Sequence, residues 1–366
     1  MTNALYRCTV LLLFLAAAGS ARAEVYELPP DGSDVVGALT RITARADDTL
    51  IDIARRHGLG YEDIVIANPG VDVWLPGEGT EIVLPTRYVL PPGPRNGVIL
   101  NLAEYRMYYY PAVAEGERPI VMTFPMSIGR MDWETPLGRT RIVSKAFRPS
   151  WYPPESVRAE HEADGRPLPR IVPPGPDNPL GDHAMRLDLP GYLIHGTNRP
   201  AGVGMRVTHG CIRMFPEDIA FLFERIGVNT PVTIINEPVK MGWDGDELVL
   251  EVHRTLESVP PPDEATIADV AAALTAAPDD SAEALAVAIA APETPAEATA
   301  EPVVTEDADP ATGGLTALTK SFVSATRLRQ GDIDWDAAEA QVMNPTGIPA
   351  PVGQEIKNAA TSAASE

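Results

Sequence analysis

The chain has 366 residues, with 51 Asp and Glu against 29 Lys and Arg, and a formal net charge of -22. That balance argues against nucleic acid and against an anionic membrane surface as partners. The length suits two or three domains, and the 2 cysteines, Cys8 and Cys211, are too few for a disulfide framework.

Residues 1–23 read as a secretory signal. Arg7 gives the positive start, and Val10 to Ala18 is an apolar run shorter than the ~20 residues of a membrane span. Ala21-Arg22-Ala23 is an A-x-A cleavage pattern. The expected mature chain starts at Glu24, is exported, and does not span the membrane. Cys8 leaves with the signal, so Cys211 becomes the one thiol of the mature chain. A free thiol outside the cytosol is open to oxidation, which favours a reactive role over a packing role.

Residues 40–86 read as a small β-α-α-β module. Thr49 offers a helix N-cap, Leu50, Ile53, Ala54 and His57 follow at helical spacing, and Gly58 is the stop. A second short helix runs from Tyr61 to Ala67 and ends at Asn68-Pro69-Gly70. Glu81 to Pro85 is a strand. The segment ADDTLIDIARRHGLGYEDIVIANPGVD, followed by LPGEGTEIVLP, resembles a LysM module. That resemblance implies binding to the N-acetylglucosamine-containing glycan of peptidoglycan.

From Asn96 the pattern turns to strands. Val98 to Leu102 and Tyr105 to Tyr110 flank a polar corner at Ala103-Glu104. Ile120 to Ile128, Arg139 to Phe147, Tyr192 to His195 and Pro231 to Ile235 are further strands. Trp151 to Gly181 is crowded with Pro and Gly and reads as a long functional loop. Pro216 to Gly227 is the one firm helix, with Glu217 and Asp218 at its start and Ile219, Leu222, Phe223 and Ile226 as its stripe. The domain at 96–236 is therefore mainly β with α. Residues 237–257 add a strand extension at Leu248 to His253.

Residues 258–366 carry 18 acidic and 4 basic side chains among many Ala and Pro. They read as a low-complexity, disordered acidic tail. Ile267 to Ala291 and the Trp335-containing stretch Leu315 to Met343 are its helical or docking candidates.

The chemistry concentrates in His195 to Met214, HGTNRPAGVGMRVTHGCIRM. A thiol has a pKa near ~8.5, so a nucleophilic cysteine needs a base or a cation beside it. His209 stands two residues before Cys211, and on an extended chain the two share a face. His195 ends another strand, and the Gly-rich link through Gly202 and Gly204 lets the chain return so that it can approach the sulfur. His195 is the expected proton acceptor. Gly210, with the N–H groups of His209 and Cys211, suits an oxyanion site. No acid adjoins His195 in sequence, so the carbonyl of Gly196 is the expected orienting partner. A buried inert thiol and a zinc site of one Cys and two His compete with this reading.

The HGTN and THGCIRM segments resemble the signature of the L,D-transpeptidases with a YkuD-type catalytic domain. SIGR, TPLG, WYPP, GPDNPLG and PEDIAFLFERI extend the resemblance over Asn96 to Asn236. The subgroup resembled is periplasmic and carries a LysM-like module in front. The resemblance implies a β-sandwich-like fold with Cys211 as nucleophile, His195 as proton donor and acceptor, and His209 and Gly210 at the oxyanion site. Arg213, Thr208 and Asn198 become candidate substrate contacts; Thr208 stands where Ser is commoner, and Arg213 where other members carry Asn. The implied reaction removes D-Ala from a tetrapeptide stem through a thioester. The acyl group then passes to a stem amine, giving a 3→3 cross-link, or to a lipoprotein or outer-membrane protein. Neither metal nor organic cofactor is implied. A non-catalytic peptidoglycan tether and an L,D-carboxypeptidase using water are the alternatives.

Overall fold

A computed structural model describes residues 24–114, 116–130, 135–163, 165–256 and 310–356. The expected signal at 1–23 and the helical candidate Ile267 to Ala291 lie outside the described residues. Among the described residues, no helix is long and apolar enough to cross a membrane.

The front module has the expected order. Strand β2 (Val35–Thr43) pairs antiparallel with β3 (Glu81–Val89), and α1 (Leu50–Arg56) and α2 (Tyr61–Ala67) lie between them. β2 starts at Val35, ahead of the expected boundary at 40. Thr49 caps α1 by accepting the Asp52 N–H at 3.0 Å. Leu50, Ile53, Ala54, Leu59 and Ile64 from the helices meet Ile82 and Leu84 of β3 in one core. Buried Asn68 ties α2 to β3: it donates to Ile64 O and Val83 O and accepts from Val83 N, at 2.8, 2.9 and 2.7 Å. This satisfies the helix end that Pro69 leaves open.

The main sheet has nine strands. They are β1 (Glu24–Glu27), β4 (Gly97–Asn101), β5 (Arg106–Tyr110), β6 (Ile120–Pro125), β8 (Gly138–Phe147), β9 (His183–Leu187), β10 (Leu193–His195), β12 (Ile212–Arg213) and β13 (Pro231–Ile235). Their order is β1-β6-β5-β4-β13-β8-β9-β10-β12. β4–β13 and β10–β12 are parallel pairs. One core gathers side chains from nearly every strand, from Met122 and Phe124 of β6 at one side to Ile212 of β12 at the other. The sheet is therefore curled around its contents. Helix α4 (Pro216–Arg225) closes that core with Ile219 and Leu222, its first-turn acids and last-turn Arg225 matching the helix dipole. A short parallel pair, β7 (Ile128–Gly129) with β11 (Arg206–Thr208), sits beside β12.

Two expectations are corrected. The stretch Trp151 to Gly181 is not all loop, since it contains α3 (Glu155–Ala163). The polar corner at Ala103-Glu104 is present and lies inside: Glu104 is 1% exposed and pairs with Lys240 at 2.8 Å. A buried carboxylate requires such a partner.

The second correction concerns the tail. Residues 310–356 form α5 (Pro310–Thr326), β16 (Gly331–Ile333), α6 (Trp335–Met343) and β17 (Ala350–Glu355). β17 pairs with β15 (Glu247–Val252), which forms a hairpin with β14 (Val239–Asp244), giving a four-stranded sheet. Leu318, Ala338 and Val352 complete a core with Val239, Trp243, Leu248 and Leu250. The apolar residues of this segment are sparse, but the hairpin offers them a face and an open edge. The rest of the tail, 258–309 and 357–366, lies outside the described residues.

Candidate active site

The site is built on the parallel pair β10–β12. Ile194 opposes Ile212 and His195 opposes Arg213. Ile194 and Ile212 both point into the main core. Side chains alternate along a strand, so His195, Cys211 and Arg213 share the opposite face. Cys211 falls beside Leu193, whose backbone N–H donates to the sulfur. From there to His195 is a diagonal of roughly 8 Å between Cα atoms, given the strand spacing and rise.

His195 is buried, and its Nδ1 lies 2.6 Å from the carbonyl oxygen of Gly196. A carbonyl only accepts, so Nδ1 carries the proton and the Nε2 lone pair is free. Burial, and then the nearby Arg213, push the imidazole down to about 3. Cys211 is half-buried and its thiol faces the Gly191 carbonyl oxygen at 3.5 Å. Burial pushes the thiol up to about 11, against the opposing pull of the Leu193 N–H and Arg213. Both groups are therefore neutral near pH 7. A thiol in this state would have to lose its proton to act as a nucleophile, and contacts of this kind often tighten only when substrate is bound.

Around Cys211 the chain turns sharply. Gly210 has φ +91°, which a glycine tolerates and other residues rarely adopt. Its carbonyl accepts the Thr135 hydroxyl at 2.8 Å, and the Thr208 hydroxyl donates to the Cys211 carbonyl at 2.6 Å. These two bonds fix the loop from both sides. The turn breaks the extended geometry on which the expected approach of the His209 ring to the thiol rested. The imidazole points instead to Glu160 of α3, Nε2 to Oε2 2.9 Å, while Arg130 pairs with the other Glu160 oxygen at 2.7 Å. Burial lowers the His209 pKa, with Glu160 opposing it. Asn198 is exposed and its amide donates to Pro176 O at 3.1 Å, so it is turned toward the segment holding α3.

Sequence reasoning did not assign Glu160, Arg130, Thr135 or Ser127. Ser127 of the SIGR segment exchanges backbone hydrogen bonds with Arg213, 2.8 and 3.1 Å, and its hydroxyl donates to Gly202 O at 2.7 Å. Nothing in the SIGR motif itself spells out those partners. The segment Trp151 to Gly181 also frames the site. A Cβ on Gly181 would fall 2.9 Å from Thr197 N, and the buried Asn178 holds Pro149 O at 2.8 Å.

A separate group of metal-binding residue types, Glu104, Glu251 and His253, lies away from this face. Lys240 Nζ fills it, 2.8 Å from Glu104 and 2.9 Å from Glu251. It is an ion pair network joining the main sheet to the C-terminal sheet.

Residues 95–234 match the YkuD family, described as the L,D-transpeptidase catalytic domain. The probable L,D-transpeptidase YbiS of Escherichia coli (strain K12) is 41% identical over 243 residues, covering 65% of this chain and 78% of that protein. The probable L,D-transpeptidase YcfS of the same strain is 40% identical over 249 residues, covering 66% of this chain and 76% of that protein. Among solved structures, a mutant L,D-transpeptidase of Enterococcus faecium is 21% identical with a TM-score of 0.29, covering 42% of this chain and 55% of that chain.

Proposed function

Because the chain belongs to the L,D-transpeptidase family, we propose that it transfers peptidoglycan stem peptides through a thioester on Cys211. The observation that carries this reading is the shared face of His195 and Cys211 on β10–β12, with Nδ1 of His195 bound to Gly196 O and Nε2 free.

The first step begins at the amide between the third residue of a tetrapeptide stem, a diamino acid, and D-Ala. Nε2 of His195 takes the thiol proton as sulfur bonds to the carbonyl carbon. The N–H groups at the Gly210 turn face the developing oxyanion. The C–N bond then breaks, and the same proton passes from His195 to the departing D-Ala amine. In the second step an acceptor amine attacks the thioester carbonyl and gives its proton to His195. The C–S bond breaks, and the thiolate recovers that proton. The low basicity of the buried imidazole favours this return, because it holds a proton only while a partner is charged or departing.

A side-chain amine of a second stem as acceptor yields a 3→3 cross-link; an amine of a lipoprotein or outer-membrane protein yields an anchored protein. The signal-like residues 1–23 support export to the periplasm. The β-α-α-β module supports retention on glycan as a LysM-like unit.

Purified mature protein incubated with muropeptides tests the reading. New dimers lacking D-Ala are expected, with a mass adduct on Cys211, and both should vanish in Cys211→Ala. Shortened monomers alone would make water the acceptor, and an unchanged profile would leave only a tether. A sacculus pull-down with and without the front module tests glycan retention; equal recovery refutes it.

A further inference from the structure

His209, Gly210 and Cys211 make the turn from β11 to β12, and both ends of that turn are anchored. Arg130 N donates to Thr208 O at 2.9 Å, and Arg213 exchanges its two backbone bonds with Ser127. Between the anchors, the peptide unit joining Gly210 to Cys211 has a hold of its own. The Thr135 hydroxyl donates to the Gly210 carbonyl oxygen at 2.8 Å and is the one donor that this oxygen meets among the described residues. Thr135 is 6% exposed. It is a stiff holder: it is β-branched, which limits its rotamers, and it precedes Pro136, which keeps its backbone extended. The chain then enters β8 of the main sheet at Gly138.

Holding that carbonyl sets the direction of the Cys211 N–H. The peptide bond is trans, so its C=O and N–H lie on opposite edges of one plane. With the oxygen turned to Thr135, the Cys211 N–H is turned away from Thr135. Among the described residues, neither that N–H nor the Gly210 N–H donates to a protein acceptor. Gly210 itself resists rotation of the plane poorly, because it has no Cβ to restrict its dihedrals. Without the hydroxyl, the buried carbonyl loses its donor, and rotating the plane to find another would carry the N–H away. We propose that Thr135 is a positioning residue for acyl transfer: its hydroxyl locks the 210–211 peptide plane and keeps the Cys211 N–H aimed at the oxyanion that develops on the attacked carbonyl. The proposal rests on the transpeptidase reading above. That N–H belongs to the residue that bears the sulfur, so it lies close to any carbonyl carbon bonded to the sulfur. Its hydrogen bond strengthens as charge develops, so the lock acts on the rate of acylation and not on donor binding.

The test compares two reactions of Cys211, both read by intact-protein mass. Acylation by a synthetic tetrapeptide passes through an oxyanion. Alkylation by iodoacetamide, a displacement at saturated carbon, does not. Thr135→Val keeps the shape of the side chain and removes the hydroxyl. At saturating donor it should acylate about tenfold to hundredfold more slowly, with the half-saturating donor concentration and the alkylation rate within about twofold of wild type. Thr135→Ser restores the hydroxyl and should recover most of the acylation rate. Unchanged acylation in Thr135→Val, an equal fall in acylation and alkylation, or Thr135→Ser as slow as Thr135→Val would overturn the proposal. Should Thr135→Val not fold, Thr135→Ala is read the same way; if that variant is also unfolded, the hydroxyl serves the fold and the positioning role is overturned. Should the tetrapeptide fail to acylate wild type while iodoacetamide still alkylates Cys211, the transpeptidase reading itself fails, and the role of Thr135 falls with it.

Discussion

Glu160 and His209 meet at 2.9 Å across 49 residues of chain. The contact fastens α3 to the residue that begins the turn around Cys211, and Arg130 holds the second carboxylate oxygen at 2.7 Å. Both Glu160 and His209 side chains are about one-third exposed, so the pair is screened. Such a pair contributes about 0.2–1 kcal/mol, and Glu160→Gln is expected to slow acyl transfer by no more than about fivefold. Loss of the carboxylate should also move the His209 titration further down, since Glu160 is the group holding it up. NMR titration of His209 and turnover assays check both. A loss beyond a hundredfold would make Glu160 a direct participant in the chemistry.

How far the sequence foretold this arrangement depends on whether each feature is written locally. Helix α1 was legible because Leu50, Ile53 and Ala54 repeat at helical spacing and all three are buried. Helix α3 was not, because Val157 is its one buried side chain and leaves no periodic signal. Its role depends on a partner far along the chain. His195 and Cys211 could be paired from spacing because a strand and a glycine link join them. The orientation of His209 could not, because the φ of Gly210, +91°, turns the chain where an extended path was assumed. In 310–356 the apolar residues Leu318, Phe322, Ala338 and Val352 sit among acids, Ala and Gly. Their composition resembles disorder until the β14–β15 hairpin supplies the other half of the core.

The neutral state of His195 and Cys211 has a measurable consequence. Burial holds the thiol near 11 and the imidazole near 3, so between those values neither group is charged. The thiolate fraction therefore grows about tenfold per pH unit through neutrality. Alkylation of Cys211 by iodoacetamide should keep rising with pH past 9, with no plateau below about 10. A plateau at pH 6–7 would mean a preformed thiolate–imidazolium pair and would contradict the arrangement. His195→Ala should leave the alkylation profile nearly unchanged yet abolish acyl transfer, because only the latter needs a proton carrier.

The His195 shift also sets a direction for stability. An unfolded histidine binds a proton near 6.5, whereas the folded one resists until about 3. Between those values the unfolded state binds more protons, so stability falls as pH drops through that window. Wild-type protein should lose thermal stability from pH 6.5 downward, and His195→Gln should lose less over the same range. Equal acid sensitivity in the two proteins would show that other groups govern it.

Gly204 is the point where the front module meets the segment that links His195 to Cys211. Its φ is +91°, and a Cβ there would fall 2.3 Å from Tyr61 N and 2.5 Å from Gly60 Cα. Tyr61 N donates to Val203 O at 2.9 Å, and Arg55 grips Glu217 with two bonds of 2.7 and 2.8 Å nearby. Gly204→Ala is expected to cost at least about 1–2 kcal/mol from the backbone conformation alone. The collision with Gly60 adds to that and should part the module from the 200–206 segment. Urea unfolding and protease cleavage between the module and the main sheet give the readout. An unchanged midpoint would show that the two halves are not clamped there.

Trp243 gives the corresponding test for the C-terminal sheet. The side chain is 4% exposed, its Nε1 donates to Ala325 O at 2.9 Å, and the Arg329 guanidinium lies 4.3 Å from its ring. A Cβ on Gly331 would already sit 3.0 Å from the ring, so the indole fills its site closely. Trp243→Ala removes the ring that joins β14 to α5 and is expected to cost about 3–5 kcal/mol locally. Cleavage within 310–356 should accelerate, because that segment has few other apolar anchors. Acylation of Cys211 should persist, because His195 and Cys211 are held by β10–β12 and the Gly196 carbonyl, none of which touches this core. Protease resistance equal to wild type would show that 310–356 does not depend on Trp243. Concurrent loss of acylation would show that the small sheet, through the Lys240 network to Glu104, supports the main one.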